Sequence, residues 1–555
     1  MTQTNISVAG LESYQPAVDY RKSGRVGVLS GTNFAWDAAG VYSAYASRLV
    51  SGSDSITTSP YIVQHLDLET AINIVSLGDV SEFVPSSPGS PVGSWNQFLT
   101  IPPLVYVDPD DVPYNLTRWS SAYLGGQRYA CCYNYGVFRV DVDFVPDPQY
   151  TRLTQFTTPG FPDDTDPVIA ICETNGRMIY VTHLVFYWSA QNAPENLVPA
   201  LGGAGFQVIA ERIAGVPFAV TSVANGCIIW TSTGALVCEF IGGDSVFRFW
   251  EMETAALPIS SYSIAQLPDN NYVLLTRLGL YQFDNLSQPQ PITPLFNEFL
   301  REYLRQKPND FGHLWYSITE NRLYVSSRTQ SQSFPITYGL DIVIDRWGVF
   351  STPHLGIFLY GIDRGQVAYA GQFGRVSFLL SPTDSRKNRE NPDAPGTFIG
   401  LASTILIGWM RPENYVVTAD VVPELQQIVV NRLTPLDETQ LLYTDEGFVI
   451  GGTVVNVDEG FIVSGGPFTI IDEGLITSGE EAIDYRLVAL SDLFTFSDGS
   501  NRMVPFLVRQ SLQLDLWVTT MPTAYIRLQF IATEPDEFYR VNSLDLTVAF
   551  DGKQG

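Results

Sequence analysis

Apolar and polar positions alternate in short runs along most of the chain, and the runs come in pairs about a tight polar turn. Gly226–Phe240 is the clearest case: Gly-Cys-Ile-Ile-Trp and Ala-Leu-Val-Cys-Glu-Phe flank the polar stretch Thr231 to Gly234. β-Branched, aliphatic and aromatic side chains suit a pleated, half-buried surface and the Gly relieves the turn, so the unit predicts a β-hairpin. It recurs at Arg128–Asp141, Arg177–Trp188, Asn271–Asp284, Arg322–Phe350 (with a polar insert) and Gln366–Leu380. The turns fall near Gly136, His183, Gly234, Gly279, Gln332 and Gly374, at spacings of 47, 51, 45, 53 and 42 residues. A β repeat of about 40–50 residues is the signature of propeller blades. The expected fold is all-β, a β-propeller-like core of short antiparallel strands with an additional C-terminal β domain and one short amphipathic helix. A single large β-sandwich with irregular hairpins is the alternative that the pattern leaves open.

Taken in order, residues 1–24 are polar and read as an N-terminal arm. A propeller-like domain is expected over 25–396, with its first strands at Arg25–Leu29 and Val41–Val50 and its clear blade series over 115–380. Tyr61–Val75 is ambiguous between strand and short helix, and acidic loops fall at Asp108–Asp111 and Asp163–Asp166. Thr293–Lys307 breaks the β pattern. Thr293 is expected to cap a helix there, Pro294 suits its first position, and Lys307-Pro308 ends it. Leu295, Phe296, Phe299, Leu300, Tyr303 and Leu304 share one face of that helix. Packing on the propeller flank is the plain reading, and Phe299, Leu300, Tyr303 and Leu304 as a partner-binding stripe the sharper one. The mixed-charge loop Ser381–Gly396 marks a boundary. Beyond it a C-terminal β domain is expected over 397–435 and 486–555, where Ser511–Val518, Tyr525–Ile531 and Leu544–Phe550 alternate as strands with one wet face.

Residues 436–485 interrupt that domain with a short repeat. Asp-Glu-Gly occurs at 445–447, 458–460 and 472–474, at spacings of 13 and 14 residues, each followed by two apolar residues. Each Asp-Glu-Gly is expected to turn, with Gly in the left-handed position. The strands between are too short to bury a core alone, so they stack on each other or on a neighbouring subunit. From Leu433 to Tyr485 there are eleven acids and no Lys or Arg. Asp445, Glu446, Asp458, Glu459, Asp472 and Glu473 read first as solvated loop tips. Functionally they would form a channel-lining patch that repels polyanions, or a calcium array. The Asp-x-Asp-x-Asp-Gly loop that would arrange calcium ligands is missing.

Bulk properties narrow the class. Only 16% of the 555 residues are charged, against 13% aromatic, which fits a surface covered by neighbours and predicts an oligomer. A net charge of −27 argues against gripping nucleic acid through its phosphates. Four of the 31 basic residues are Lys and the rest Arg, the cation favoured at protein interfaces. Five cysteines give no disulfide framework; Cys227 and Cys238 would face each other across their hairpin, and all five read as small buried hydrophobes. No signal peptide and no membrane-spanning run is expected. His65, His183, His313 and His354 are scattered, and there is no Cys-x-x-Cys, phosphate-binding loop, nucleotide-binding Gly motif or nucleophile elbow. Sialidase-type boxes are absent, and Ser497-Asp498-Gly499-Ser500 is only a fragment of one. Acids are too common for any one pair to mark a glycosidase. The expectation is no enzyme, no catalytic residue, no cofactor and no metal.

One stretch carries a family resemblance. Val185–Phe206 runs through Tyr-Trp-Ser, then Pro-Glu-Asn, then a Gly-rich loop, and resembles the tail nozzle or stopper proteins of short-tailed bacteriophages. Ile228–Phe240, the helix Leu295–Leu304, Asp345-Arg346-Trp347-Gly348, Tyr525–Phe530 and Asn33–Tyr45 are similar to that family too; the acidic repeat at 436–485 is not matched. The resemblance implies a structural virion protein assembled in the host cytoplasm into the phage tail. It implies a homo-oligomeric ring, six copies in the usual case, beneath the portal–adaptor protein and in contact with tail components such as fibres or a needle. Such a ring extends the channel, retains packaged DNA, and conducts it on ejection without specific binding. A lumen of carboxylates would keep that path unobstructed. A receptor- or glycan-binding propeller, an adhesin or depolymerase, is the other reading.

Overall fold

The computed structural model describes residues 2–8, 28–37, 40–43, 47–49, 64–68, 71–76, 79–85, 93–104, 114–141, 149–200, 203–268, 271–306, 311–317, 321–328, 336–350, 354–360, 366–371 and 376–379. Toward the C-terminus it describes 388–390, 398–400, 403–410, 420–425, 448–449, 461–462, 485–495, 501–506, 509–511, 516–520, 526–532, 540–541 and 544–550. The chain forms two compact units, one of Arg48–Asp345 with Ser351–Leu379, the other of Met1–Ser47, Arg346–Phe350 and Leu380–Gly555.

The first unit is a β-propeller. Five consecutive four-stranded antiparallel meanders run through it. Blade 1 is Gln64–Leu68, Ala71–Ser76, Asp79–Pro85 and Gly93–Thr100. Blade 2 is Ser120–Leu124, Gln127–Cys132, Gly136–Asp141 and Gln149–Arg152, and blade 3 is Ala170–Thr174, Arg177–Val181, Val185–Trp188 and Gly205–Val208. Blade 4 is Pro217–Val223, Gly226–Thr231, Ala235–Phe240 and Phe247–Met252, and blade 5 is Ile264–Gln266, Tyr272–Thr276, Gly279–Phe283 and Gln290–Pro291. Phe311–Ser317, Arg322–Arg328 and Thr337–Asp341 continue the series as blade 6. In blade 7 the order is His354–Tyr360, Gln366–Gly371, Val376–Leu379 and then Ser47–Leu49, so an early strand completes the last sheet. First strands of blades 1 to 4 and of blades 5 to 7 lie side by side, blades 4 and 5 share an apolar core, and His354–Tyr360 packs on Gln64–Leu68, which closes the ring.

Both faces of each central blade are buried, which is why its strands read as continuous apolar runs. In blade 3, Met178 and Tyr180 face a core shared with Tyr129, Cys131 and Val137 of blade 2. Their neighbours Ile179 and Val181 face a core shared with Cys227, Ile229 and Leu236 of blade 4. Ile228 and Trp230 point the other way, onto Leu274 and Phe283 of blade 5. Cys227 and Cys238 are register partners, and all five cysteines are free and buried. Burial pushes the Cys132 thiol up to about 12, as befits a small hydrophobe. At Gly125-Gly126 and Asn175-Gly176 both residues take positive φ, the two-residue turn whose twist matches the strands it joins.

One ambiguity resolves and one expectation changes. Within the segment that reads as either strand or helix, Gln64–Leu68 and Ala71–Ser76 are strands that pair with each other, and Asn73–Ser76 continues the ladder to Asp79–Pro85; the blades therefore start near residue 64 rather than 115. The arm contains a strand too. Thr2–Val8 pairs with Leu544–Phe550, from Thr2 against Phe550 to Val8 against Leu544. Its alternation of Thr2, Thr4, Ile6 and Val8 with Gln3, Asn5 and Ser7 is masked by the polar threonines.

The second unit holds two five-stranded antiparallel sheets. One has the order Thr2–Val8, Leu544–Phe550, Asp420–Leu425, Leu516–Thr520, Arg509–Ser511, and the other Val28–Thr32, Ser403–Met410, Ile526–Ala532, Tyr485–Thr495, Asn501–Phe506. Asn388–Glu390 pairs with Phe398–Gly400. Arg346–Phe350 pairs with Phe34–Asp37 through Val349 and Phe34, and at Gly348 a Cβ would stand 2.0 Å from the Phe34 carbonyl oxygen, which excludes any larger residue.

The expected helix α1 is Pro294–Arg305. Thr293 does not cap it: the residue is left-handed and its hydroxyl makes no cap bond. Asp345 does this instead, accepting from the Leu295 and Phe296 amides at 2.9 and 3.3 Å. A carboxylate there also meets the positive end of the helix dipole. Buried Asn297 ties the helix to blade 5, accepting from the Leu280 amide at 2.6 Å and donating to the Leu280 and Ile292 carbonyls at 3.1 and 2.5 Å. Loss of a capping side chain costs about 0.5–2 kcal/mol. Asp345→Ala is therefore expected to lower the unfolding free energy from urea titration by an amount in that range, seen as a lower midpoint with an unchanged m-value, while Asp345→Asn, which keeps an acceptor, loses less.

Candidate functional site

The channel-lining candidates Asp445, Glu446, Asp458, Glu459, Asp472 and Glu473 lie outside the described residues. Between them, Phe448–Val449 and Phe461–Ile462 are strands paired in parallel, Phe448 with Phe461 and Val449 with Ile462. Equivalent positions of successive repeats thus stack in register. On α1, Leu300 and Leu304 are buried at 1% and 2% exposure. Phe299 and Tyr303 are half-buried and set their rings 5.1 and 5.4 Å from that of Tyr338, both edge-on. All four side chains of the stripe thus have contacts within the propeller.

The residues that carry the family resemblance hold blades together. The loop after Trp188 folds back on the seam between blades 2 and 3. There the Pro194 carbonyl accepts from the Tyr180 hydroxyl at 2.8 Å, and the Glu195 carboxylate accepts from Tyr129 and Arg139 at 3.0 and 3.1 Å. Burial, together with that carboxylate, raises the Tyr129 hydroxyl far above its usual range. Trp188 Nε1 donates to the Gly203 carbonyl at 3.0 Å, and a Cβ at Gly205 would meet the indole at 2.5 Å. The Gly-rich loop therefore makes room for Trp188.

Asp166 organises the same seam at the blade 3 turn. It accepts from the Thr182 hydroxyl at 2.6 Å and the His183 amide at 3.2 Å, and the His183 ring lies 5.2 Å from that of Tyr133. The acidic loop found in the sequence is thus used internally, at least at Asp166 and at Asp164, which pairs with Arg152 at 3.1 Å.

The axis of the propeller is the most informative region. Tyr114–Leu116 forms a 3-10 turn ahead of blade 2, and Ser261–Ser263 forms another ahead of blade 5. Blades 2 and 5 are three places apart in a ring of seven, so contact between these segments crosses the centre. Thr117 and Tyr262 hydroxyls are 2.9 Å apart, and the Arg118 guanidinium donates to the Ser261 carbonyl and, at 3.4 Å, to that of Ile264. Leu116 packs with Phe218, Trp230 and Leu274 of blades 4 and 5. Ser260 and Ser263 both donate to the Gly312 carbonyl of blade 6, at 2.7 and 3.0 Å. The Cys132 thiol donates to the Thr117 carbonyl at 3.6 Å. The chain's own loops fill the bore. Sequence reasoning missed this, because Asn115–Trp119 has no periodicity and its partners are some 145 residues away.

No Asp or Glu among the described residues pairs with Arg118. Burial pushes its pKa down, although the nearby Tyr262 and Tyr272 oppose the shift. Among the described residues no group of three or more His, Cys, Asp or Glu is placed to hold a metal ion, and no helix is long and apolar enough to cross a membrane.

Fold and site together define a β-propeller whose axis is crossed by its own loops. No family model matches the chain, and no curated protein matches it. Among solved structures it is similar to the N-terminal domain of Nup159, at 9% identity and a TM-score of 0.32 over 67% of this chain and 98% of that one. YCF48 from Cyanidioschyzon merolae is similar at 12% identity and a TM-score of 0.33, over 60% of this chain and 98% of that one. PorZ of Porphyromonas gingivalis gives 11% identity and a TM-score of 0.33, over 70% of this chain and 51% of that one. Likeness at this level adds nothing to the strand orders above.

Burial holds the His183 imidazole below its ordinary value of 6.5, and the opposing pull of Asp166 is weaker. The unfolded chain then binds the proton first, so His183 contributes stability that is complete above pH about 6.5 and is lost as pH falls through the lower folded value. The melting temperature of His183→Gln should accordingly fall less than that of the parent protein between pH 7.5 and pH 5. Equal falls would mean that the imidazole does not titrate in this environment.

Proposed function

We propose that this chain is a structural channel protein, a tail nozzle or stopper of a short-tailed bacteriophage. It would form a homo-oligomeric ring, most simply of six copies, that extends the portal–adaptor channel, retains packaged DNA and conducts it on ejection. The reading is carried by the net charge of −27 on a propeller built without recognisable catalytic machinery. A surface of that sign repels a polyanion and leaves its path free. The family resemblance supports it further, since the quoted motifs have structural roles: Glu195 at a blade seam, Asp345 at the start of α1, Gly348 against Phe34.

The filled axis adds a condition. A duplex cannot pass through one propeller, so the conduit of this reading lies between copies, lined by outer surfaces or by the acidic insert. Ring closure by head-to-tail contacts meets that requirement. The low charged fraction of 16% fits subunits covered by neighbours.

Negative-stain electron microscopy of the purified chain is expected to show rings with a central opening wider than a DNA duplex. A monodisperse monomer that is absent from tails would refute the proposal. Replacing Asp445, Glu446, Asp458, Glu459, Asp472 and Glu473 with Lys is expected to slow DNA ejection from otherwise normal particles. Unchanged ejection kinetics would place those acids away from the lumen.

A further inference from the structure

The outer edge of blade 3 lacks the guards that its neighbours carry. An edge strand presents a row of unpaired backbone groups, and proteins protect it with charge, proline or very short length. Blade 2 ends on Gln149–Arg152, with Arg152 paired to Asp164. Blade 4 ends on Phe247–Met252, which exposes Arg248 and Glu251, and blade 5 ends on the short strand Gln290–Pro291. Blade 3 ends on Gly205-Phe206-Gln207-Val208, the last strand of its sheet, with neither charge nor proline. Phe206 and Val208 are 54% and 48% exposed. They share a face with their register partners Tyr187 and Val185, and the Phe206 and Tyr187 rings are 5.9 Å apart. Leu184, at the adjoining turn, is exposed as well. No residue of this strand, or of Val185–Trp188 beside it, is charged.

The ladder fixes which backbone groups stand free. The Ile209 amide donates to the Leu184 carbonyl at 2.8 Å, and hydrogen-bonded pairs alternate along an antiparallel ladder. Gly205, Gln207 and Ile209 therefore turn their N–H and C=O inward to the neighbouring strand, and Phe206 and Val208 turn theirs outward. The Val208 carbonyl accepts from the Gln207 side-chain amide at 3.0 Å, a local substitute for a further strand. Such an edge can take one more strand, and charge decides whose. A basic partner finds no carboxylate on this edge, and an acidic one finds no cation. A second copy brings the same uncharged edge, so two chains of net charge −27 meet there without opposed carboxylates. Glu211 and Arg212 have left the strand line, because the Arg212 amide turns back to the Ile209 carbonyl at 2.8 Å. We propose that Gly205–Val208 pairs antiparallel with the same strand of a second copy, about a two-fold axis through Gln207. Phe206 then stands opposite Val208 of the second copy in a hydrogen-bonded pair that uses the outward groups of both. Gln207 stands opposite itself, and the apolar side chains of both copies share one face. A two-fold contact is complete at two partners, unlike the head-to-tail contacts of a ring, so the inference does not rest on the channel reading.

Sedimentation velocity of the full chain over a wide range of concentration tests it. The expected result is a species of twice the mass of the smallest assembly, whose share grows with concentration. Gln207→Lys and Gln207→Glu each set like charges opposite one another on the axis and are expected to weaken the doubling about tenfold. An equal mixture of the two variants is expected to restore it, because opposite charges then meet. Val208→Pro removes an outward N–H that no bond within one copy uses, so it should keep the parent's melting temperature and abolish the doubling. A parent that never doubles would overturn the proposal. So would variants that double as readily as the parent, and so would a mixture no better than either variant alone, because Gln207 would then not face itself. Binding of a synthetic uncharged peptide of alternating Val and Thr by a parent that never doubles would assign the edge to a foreign strand instead. Rings formed equally by the parent and by Val208→Pro would leave the channel reading standing whatever becomes of this contact, and doubling without any ring would sink that reading alone.

Discussion

The constraint on which the propeller depends is that no blade can bury its own side chains. A four-stranded meander has two apolar faces, and each needs a neighbour. Ile228 and Trp230 need blade 5, Cys227 and Ile229 need blade 3, and Met178 and Tyr180 need blade 2. A row of such sheets always leaves two faces wet unless it closes. Closure follows here from the contact of His354–Tyr360 with Gln64–Leu68 and from Ser47–Leu49 joining the last sheet. Fully burying one large aliphatic or aromatic side chain contributes about 1.5–3 kcal/mol, so one unclosed seam with several such residues would offset a typical domain's whole stability.

Polar side chains in this fold sit where strands run out and the seam alone cannot satisfy the backbone. Glu195 joins Tyr129 and Arg139 across blades 2 and 3, Asp166 serves the blade 3 turn, Asn297 takes the place of a strand beside Leu280, and Asp345 starts α1. Each receives hydrogen bonds that would otherwise go unmade in a dry setting, where an unpaired group is expensive. Burial raises the Asp345 carboxyl while the two helix amides pull it back, the balance expected of a half-buried cap. Acids of this kind are structural. Their number in the sequence therefore overstates how much charge stands free at the surface.

A propeller is often pictured as a ring with a usable hole, and the axis here contradicts that picture. Leu116 fills apolar space among blades 4 and 5, while Thr117 and Arg118 bond to the lead-in of blade 5. This crossing braces the ring from inside, because segments from blades on opposite sides are tied to each other as well as to their neighbours.

Much of the architecture was legible in the chain itself. Hairpins such as Gly226–Phe240 declare themselves through local side-chain chemistry, and their spacing announces the blades, because a repeated fold needs a repeated pattern. α1 was equally plain, since amphipathic spacing is a local property. Its cap was not: Asp345 is some 50 residues from Leu295, and nothing near Thr293 points to it. The strand Thr2–Val8 stayed hidden because a polar sequence becomes a strand only when another strand offers a ladder, here at Leu544–Phe550. The same holds for Thr117 and Arg118, which meet Tyr262 and Ser261 only across the axis. Local pattern reports which way a segment can bury its side chains, whereas the identity of the group across the gap is fixed only when distant segments meet. Local sequence thus determined the hairpins and the repeat of the later blades, and tertiary structure alone decided where the ring begins and what stands at its centre.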